Sequence, residues 1–144
     1  MKKYINTAFA YGVAALICGV IYREVTKFYG FTGKTTLAFM HLHLFVLGMI
    51  MFLILALFAQ LTDIEKQKAF QRFIKVYHVG LPFMVLMFFV RGMLQVAGTD
   101  VTKGVSAAIS GLSGVSHILM AVAFLLLFAA LRKCRIVTKQ GSES

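Results

Sequence analysis

The sequence predicts an all-α integral membrane protein, an up-down-up-down bundle of four helices, on three observations. Of its 144 residues 60% are hydrophobic, only 14% are charged and one is proline, a balance foreign to soluble domains of this size. The apolar residues gather into four runs long enough to cross a bilayer rather than into amphipathic stripes. The connections between the runs are short, which makes consecutive helices antiparallel neighbours.

The first span is expected at about 4–27. Its apolar part runs from Tyr4 to Tyr22, and Arg23, Glu24 and Lys27 close it. Met1-Lys2-Lys3 before an apolar run resembles the start of a secretion signal. However, the run continues past Cys18, and Leu16 and Ile17 are not the small residues that processing requires, so the helix reads as retained. Arg23 and Glu24 are adjacent and leave the helix in different directions, so each is expected to find its partner elsewhere.

The second span, 35–61, carries no charge over 27 positions. At 1.5 Å per residue it measures roughly 40 Å, more than the ~30 Å of hydrocarbon it has to cross. The polar connection Thr62 to Lys68 has neither Pro nor Gly and reads as helical and interfacial. The third span, about 72–97, has its apolar run from Val76 to Val96, interrupted by Pro82 and Arg91. Pro82 cannot donate to the carbonyl of His78, so a kink is expected there. The fourth, about 105–131, enters through small residues from Ser106 to Gly114 and leaves through aliphatic and aromatic ones.

One four-helix transmembrane domain, 1–134, is therefore expected, followed by a polar cytoplasmic tail, 135–144, disordered at its end. The net charge of +10 does not read as a nucleic-acid surface, because the cations lie in short clusters between apolar runs. They read as topology signals and contacts with anionic lipid. Lys2, Lys3, Lys66, Lys68, Arg72, Lys75, Arg132, Lys133, Arg135 and Lys139, ten of the 15 Lys and Arg residues, fall on one side. By the positive-inside rule that side, with both termini, is cytoplasmic. Cys18 and Cys134 lie too far apart along the membrane normal to pair.

Ionisable residues inside a membrane mark sites by default. Counted from the external ends of their spans, His41, His43 and His117 lie at nearly one depth, with Arg23, Glu24, Arg91 and Gln95 slightly nearer the outer surface. His117 shares a helical stripe with Ser106, Ser110, Ser113, Gly114 and Ala121, a close-packing face, and is expected to point into the bundle. His41 shares one with Ala38, Gly48, Ala56 and Ala59. His43 lies about 200° around the helix from His41, so the two cannot aim at one ion, and His41 is the preferred ligand.

Opposed imidazoles on different helices, walled by Phe and Leu beneath cations, suit a b-type haem. His117 with His41 or His43 would be the axial ligands, and Arg23, Arg91 or Lys34 would pair the propionates. Electron transfer, haem sensing or haem handling would follow, in company with a redox partner or as a homo-oligomer. The alternative is a non-enzymatic membrane subunit or transporter-like module whose histidines are hydrogen-bonding glue; His78, beside Pro82, reads as structural in either case. No Ser/His/Asp spacing or HExxH pair suggests a hydrolase, and the eight methionines read as packing.

Several stretches carry a resemblance. Ile21 to Lys27, His41-Leu-His43 with Leu47-Gly48, Tyr77 to Gly80, Val90-Arg91-Gly92 with Gln95-Val96, and Ile109 to Gly111 with Gly114 to Ile118 resemble the signature stretches of a family of small bacterial four-helix membrane proteins. That family is catalogued only as a domain of unknown function. The resemblance implies the fold and a place in the bacterial inner membrane, but no activity. More distantly, His-x-His followed by Leu-Gly is similar to a histidine helix of the haem-copper oxidases and nitric oxide reductases. This likeness implies a haem ligand at His41 or His43, without the oxidase chemistry.

Overall fold

In the computed structural model, which describes residues 1–137, four helices carry the chain: α1 (Lys2–Phe28), α2 (Leu37–Leu61), α3 (Lys68–Val96) and α4 (Lys103–Leu131). Each is long and apolar enough to cross a membrane. They form a four-helix bundle, as expected; α1, α3 and α4 extend beyond the apolar runs that announced them, whereas α2 begins inside its own. The tail expected to be disordered lies mostly outside the described residues.

Glycine ends both helices that reach the end of the bundle far from the termini. Gly30 and Gly98 each take φ of 60°, a conformation glycine adopts without a Cβ penalty. Behind them Phe31 and Thr99 donate back to the carbonyls of Thr26 and Leu94 at 2.9 and 3.2 Å, which satisfies acceptors that a helix end leaves open. α4 starts at Thr102, whose hydroxyl accepts from Val105 N, the usual service of a threonine cap.

α1 packs along α2, and small residues set the spacing. Ala8, Ala15 and Ala56 are buried in the core. A Cβ on Gly48 would stand 2.6 Å from Tyr11 Cβ, and one on Gly12 would stand 3.0 Å from Met49 Sδ. The stripe that the sequence assigned to close packing on this helix is thus the α1 seam.

α2 is not regular. Its α-helical turns give way to a π-helical segment over Leu44–Ile50 before α geometry returns at Met51. In this segment the buried Tyr77 of α3 donates to the Leu47 carbonyl at 2.8 Å. Such segments are uncommon and often mark functional positions; nothing in the residue pattern announced this one.

α3 is continuous through Pro82, which lies on its exposed side. An aromatic row fills the core nearest the termini. Tyr4, Phe70, Phe73, Tyr77 and Phe52 follow one another with centroids 4.9 to 6.0 Å apart, distances at which edge and tilted contacts are favourable. α4 packs most extensively on α3, through Ser116, Met120, Ala123, Leu127 and Ala130.

The connection expected to be helical contains only the short 3-10 turn Ile64–Lys66. The chain leaving α4 is stitched to it: Asp63 N donates to Arg135 O, Arg135 N to the Asp63 carboxylate, and Val137 N to Leu61 O. Lys3 Nζ lies 2.6 Å from Glu65 Oε1, which also accepts from the Tyr4 hydroxyl at 2.7 Å. The Lys3 ammonium first, and then the Tyr4 hydroxyl, hold the Glu65 carboxyl below its ordinary value. A depressed carboxylate contributes stability above its unfolded value, about 4.3, that is lost as pH falls through the folded one. Thermal unfolding in detergent should therefore weaken from pH 5 downward, by less than ~1 kcal/mol for so exposed a pair. Glu65→Gln should lower stability at pH 7 and flatten that acid limb.

Candidate functional site

The site is built outward from one turn of α3. Gly92 has no side chain, and the first turn of α2 fills its place: a Cβ there would stand 2.6 Å from Leu37 Cγ and 2.7 Å from Leu37 N. Around this contact Thr36 Oγ1 donates to Phe88 O at 2.8 Å, Thr35 Oγ1 to Gly92 O at 3.2 Å, and Thr36 N to the Gln95 side-chain oxygen at 2.9 Å. So fixed, α2 brings His43, two turns further on, against the Phe88 ring at a centroid distance of 4.7 Å. From α4, His117 meets the same ring at 6.1 Å. Arg91, one turn beyond Phe88, donates from Nη2 to Ser110 Oγ of α4 at 2.6 Å.

Two imidazoles from different helices thus meet one phenyl ring, with a guanidinium a turn away. Their hydrogen bonds decide which nitrogen is available. His43 Nδ1 lies 2.8 Å from Phe39 O and His117 Nδ1 lies 2.8 Å from Ser113 O, each four residues back on its own helix. A carbonyl can only accept, so in the neutral ring Nδ1 carries the proton and Nε2 keeps its lone pair. This is how a ligating histidine is prepared, by a backbone acceptor on its other nitrogen.

His41 belongs to another surface. Its ring stacks on Tyr22 of α1 with centroids 6.4 Å apart, and its Cβ lies 3.9 Å from the place of a Gly19 Cβ. The ring of α3 that His117 meets is met from α2 by His43 and not by His41, the preferred ligand of the sequence. The Nδ1 of His41 is buried without a partner among the described residues, a condition that costs about 1–3 kcal/mol. His41→Leu is expected to leave thermal stability unchanged or raise it, as read by unfolding in detergent.

His117 also departs from expectation. The buried position is Ser116, and His117 is exposed at the rim of the α3–α4 seam; Ser106, Ser110, Gly114 and Ala121 of its stripe are exposed too. The reason is contact area. The Met120 and Leu127 face of α4 offers side chains that fill the space over Gly80, whereas a serine and glycine face offers little. Ser116 can be buried because its hydroxyl donates to Ser113 O in its own helix.

Arg23 and Glu24 correct a further expectation. Neighbours on a helix do not face each other, but these long side chains bend outside it and meet at 3.8 Å, both exposed. Such a pair contributes little. Among the described residues no three His, Cys, Asp or Glu side chains come together to hold a metal ion, so His41, His43 and His117 do not form one cluster. Sequence reasoning missed Phe88, whose only signal was its place on the Arg91 face of α3. It also missed Ser110 as the partner of Arg91.

Four membrane-length helices, sequentially packed and carrying histidines across a central aromatic ring, define a small multi-pass helical membrane protein. Residues 1–134 match the family described as "Protein of unknown function (DUF2871)", and the chain belongs to that family. No curated protein and no solved structure matches it.

Proposed function

We propose that this protein binds b-type haem, which His43 of α2 and His117 of α4 would hold, and serves in electron transfer, haem sensing or haem handling. The observation that carries the reading is the pair of Nδ1 contacts to backbone carbonyls, which leaves an unprotonated Nε2 on each of two histidines beside one aromatic ring. Bound haem supplies a one-electron couple whose potential follows its axial ligands and surroundings. The chain's own part is to fix both tautomers, to offer Phe39 and Phe88 as apolar walls and to present Arg91 to a propionate. Arg23 has no such position beside the pair.

Each imidazole already packs on the Phe88 ring and bonds within its own helix. This favours a second reading, a non-enzymatic membrane subunit whose histidines are satisfied by their own helices. A reduced-minus-oxidised spectrum of protein purified from haem-supplied cells separates the two. Soret and α-bands support the haem reading, and a colourless, folded preparation supports the other.

The cation distribution argues for the bacterial inner membrane with both termini cytoplasmic. That face, with Lys2, Lys66, Lys68 and Arg72, suits anionic lipid.

A further inference from the structure

A second, separate site lies in the groove between α1 and α3, floored by α2. Near the termini it is a cavity of about 430 Å³ among Tyr4, Phe52, Phe70, Gln71, Lys75 and His78. It continues past Thr7, Ala10 and Tyr11 as a cavity of about 490 Å³, also lined by His78. Through Tyr11 and Ala14 it joins an almost wholly apolar stretch of about 380 Å³ that reaches Cys18, Leu44 and Phe89. One end is polar, and the rest is a track for a chain.

His78 stands where the two characters meet, one turn inside Lys75. Its ring lies 5.1 Å from that of Phe52 and 6.4 Å from that of Tyr11. Its Nδ1 lies 2.8 Å from Ile74 O, so in the neutral ring Nε2 is left as an acceptor beside the stacked rings of Tyr11 and Phe52. The charges at this end are largely committed, since Lys3 and Tyr4 both engage Glu65, and among the described residues Lys75 is the one remaining cation in the lining. A phosphate head group would ask for more positive charge than that. A flat, uncharged ring bearing hydroxyls, with a long apolar tail, matches the polarity along the whole groove.

We infer that the α1–α3 groove binds an isoprenoid quinol, its head ring against the stacked pair of Tyr11 and Phe52, a hydroxyl donating to His78 Nε2, and its tail along Ala14, Cys18, Leu44 and Phe89. Because an unprotonated Nε2 accepts but does not donate, the reduced form binds more tightly than the quinone, whose oxygens only accept. This inference does not rest on the haem reading, and haem-free protein tests it.

The chain has five Tyr and no Trp, so tyrosine fluorescence reports on Tyr4 and Tyr11 at the groove. Protein in phosphatidylcholine nanodiscs is titrated with decylubiquinol and, separately, decylubiquinone. Saturable quenching is expected, tighter for the quinol. The quinol Kd should rise about tenfold on loss of the hydrogen bond in His78→Leu, and similarly in Ala10→Phe, which fills the groove from the exposed side of α1. His117→Leu should leave it unchanged. Helicity by circular dichroism verifies folding, and if His78→Leu fails it, Ala10→Phe alone decides. Non-saturating quenching alike in every variant overturns the inference. So does loss of quinol binding in phosphatidylglycerol discs, which would assign the groove to an anionic phospholipid.

Discussion

Purified from haem-supplied cells, His43→Ala and His117→Ala should each lose haem by at least an order of magnitude, while His41→Leu and His78→Leu should retain it. Disturbing only the groups that orient a metal ligand typically costs 10–100-fold in affinity, and removing a ligand itself should cost no less. The selectivity of the series is the sharper part, because composition treats the four histidines alike. His43 and His117 meet one ring of α3, at 4.7 and 6.1 Å, whereas His41 stacks on Tyr22 and His78 lies against Phe52. Arg91→Ala should weaken retention less, since it removes a counter-ion and not a ligand. Bands of equal strength in all four histidine variants would exclude this pair. A retained spectrum in His117→Ala with loss in His41→Leu would return the site to the α1 side of α2.

Gly92→Val should be among the most destabilising single substitutions in the chain. The nearest atoms to a Cβ at this position include a backbone nitrogen, that of Leu37, at 2.7 Å, and backbone cannot swing aside as a long side chain can. The first turn of α2 must lift away, which strains the bonds from Thr35 and Thr36 to Phe88, Gly92 and Gln95. Overpacking costs ~1–3 kcal/mol and each lost hydrogen bond ~0.5–1.5, so about 3 kcal/mol or more is expected, with loss of the His43–Phe88 contact. Gly48→Ala, held at 2.6 Å by Tyr11 Cβ, should follow the same course at the α1 seam. Gly111→Ala and Gly114→Ala meet nothing within 4 Å and should be neutral or gain a few tenths of a kcal/mol from helix propensity. Thermal unfolding in detergent ranks the four, and equal midpoints for Gly92→Val and Gly114→Ala would contradict the described seam.

The histidines show how far a residue pattern reaches. That His41 and His43 could not share a target followed from helix geometry alone, and they do part, one to α1 and one to α3. Which of them would face α3 did not follow, because both of their faces are apolar enough to be buried. For His117 the small-residue stripe pointed the wrong way. That stripe marks where backbones can approach, but only the partner decides whether they do, and here Gly80 accepts Met120 and Leu119 instead.

By itself the sequence determined the four spans and their antiparallel order, since a run of membrane length needs no information beyond its own residues. It also determined the small-residue seam of α2. Only the tertiary structure decided the π-helical segment, the meeting of His43 and His117 at Phe88, and the groove that holds His78. Each depends on which faces of different helices come together, and in a chain apolar on nearly every side that choice is made by shape and by a few buried hydrogen bonds rather than by hydrophobic pattern.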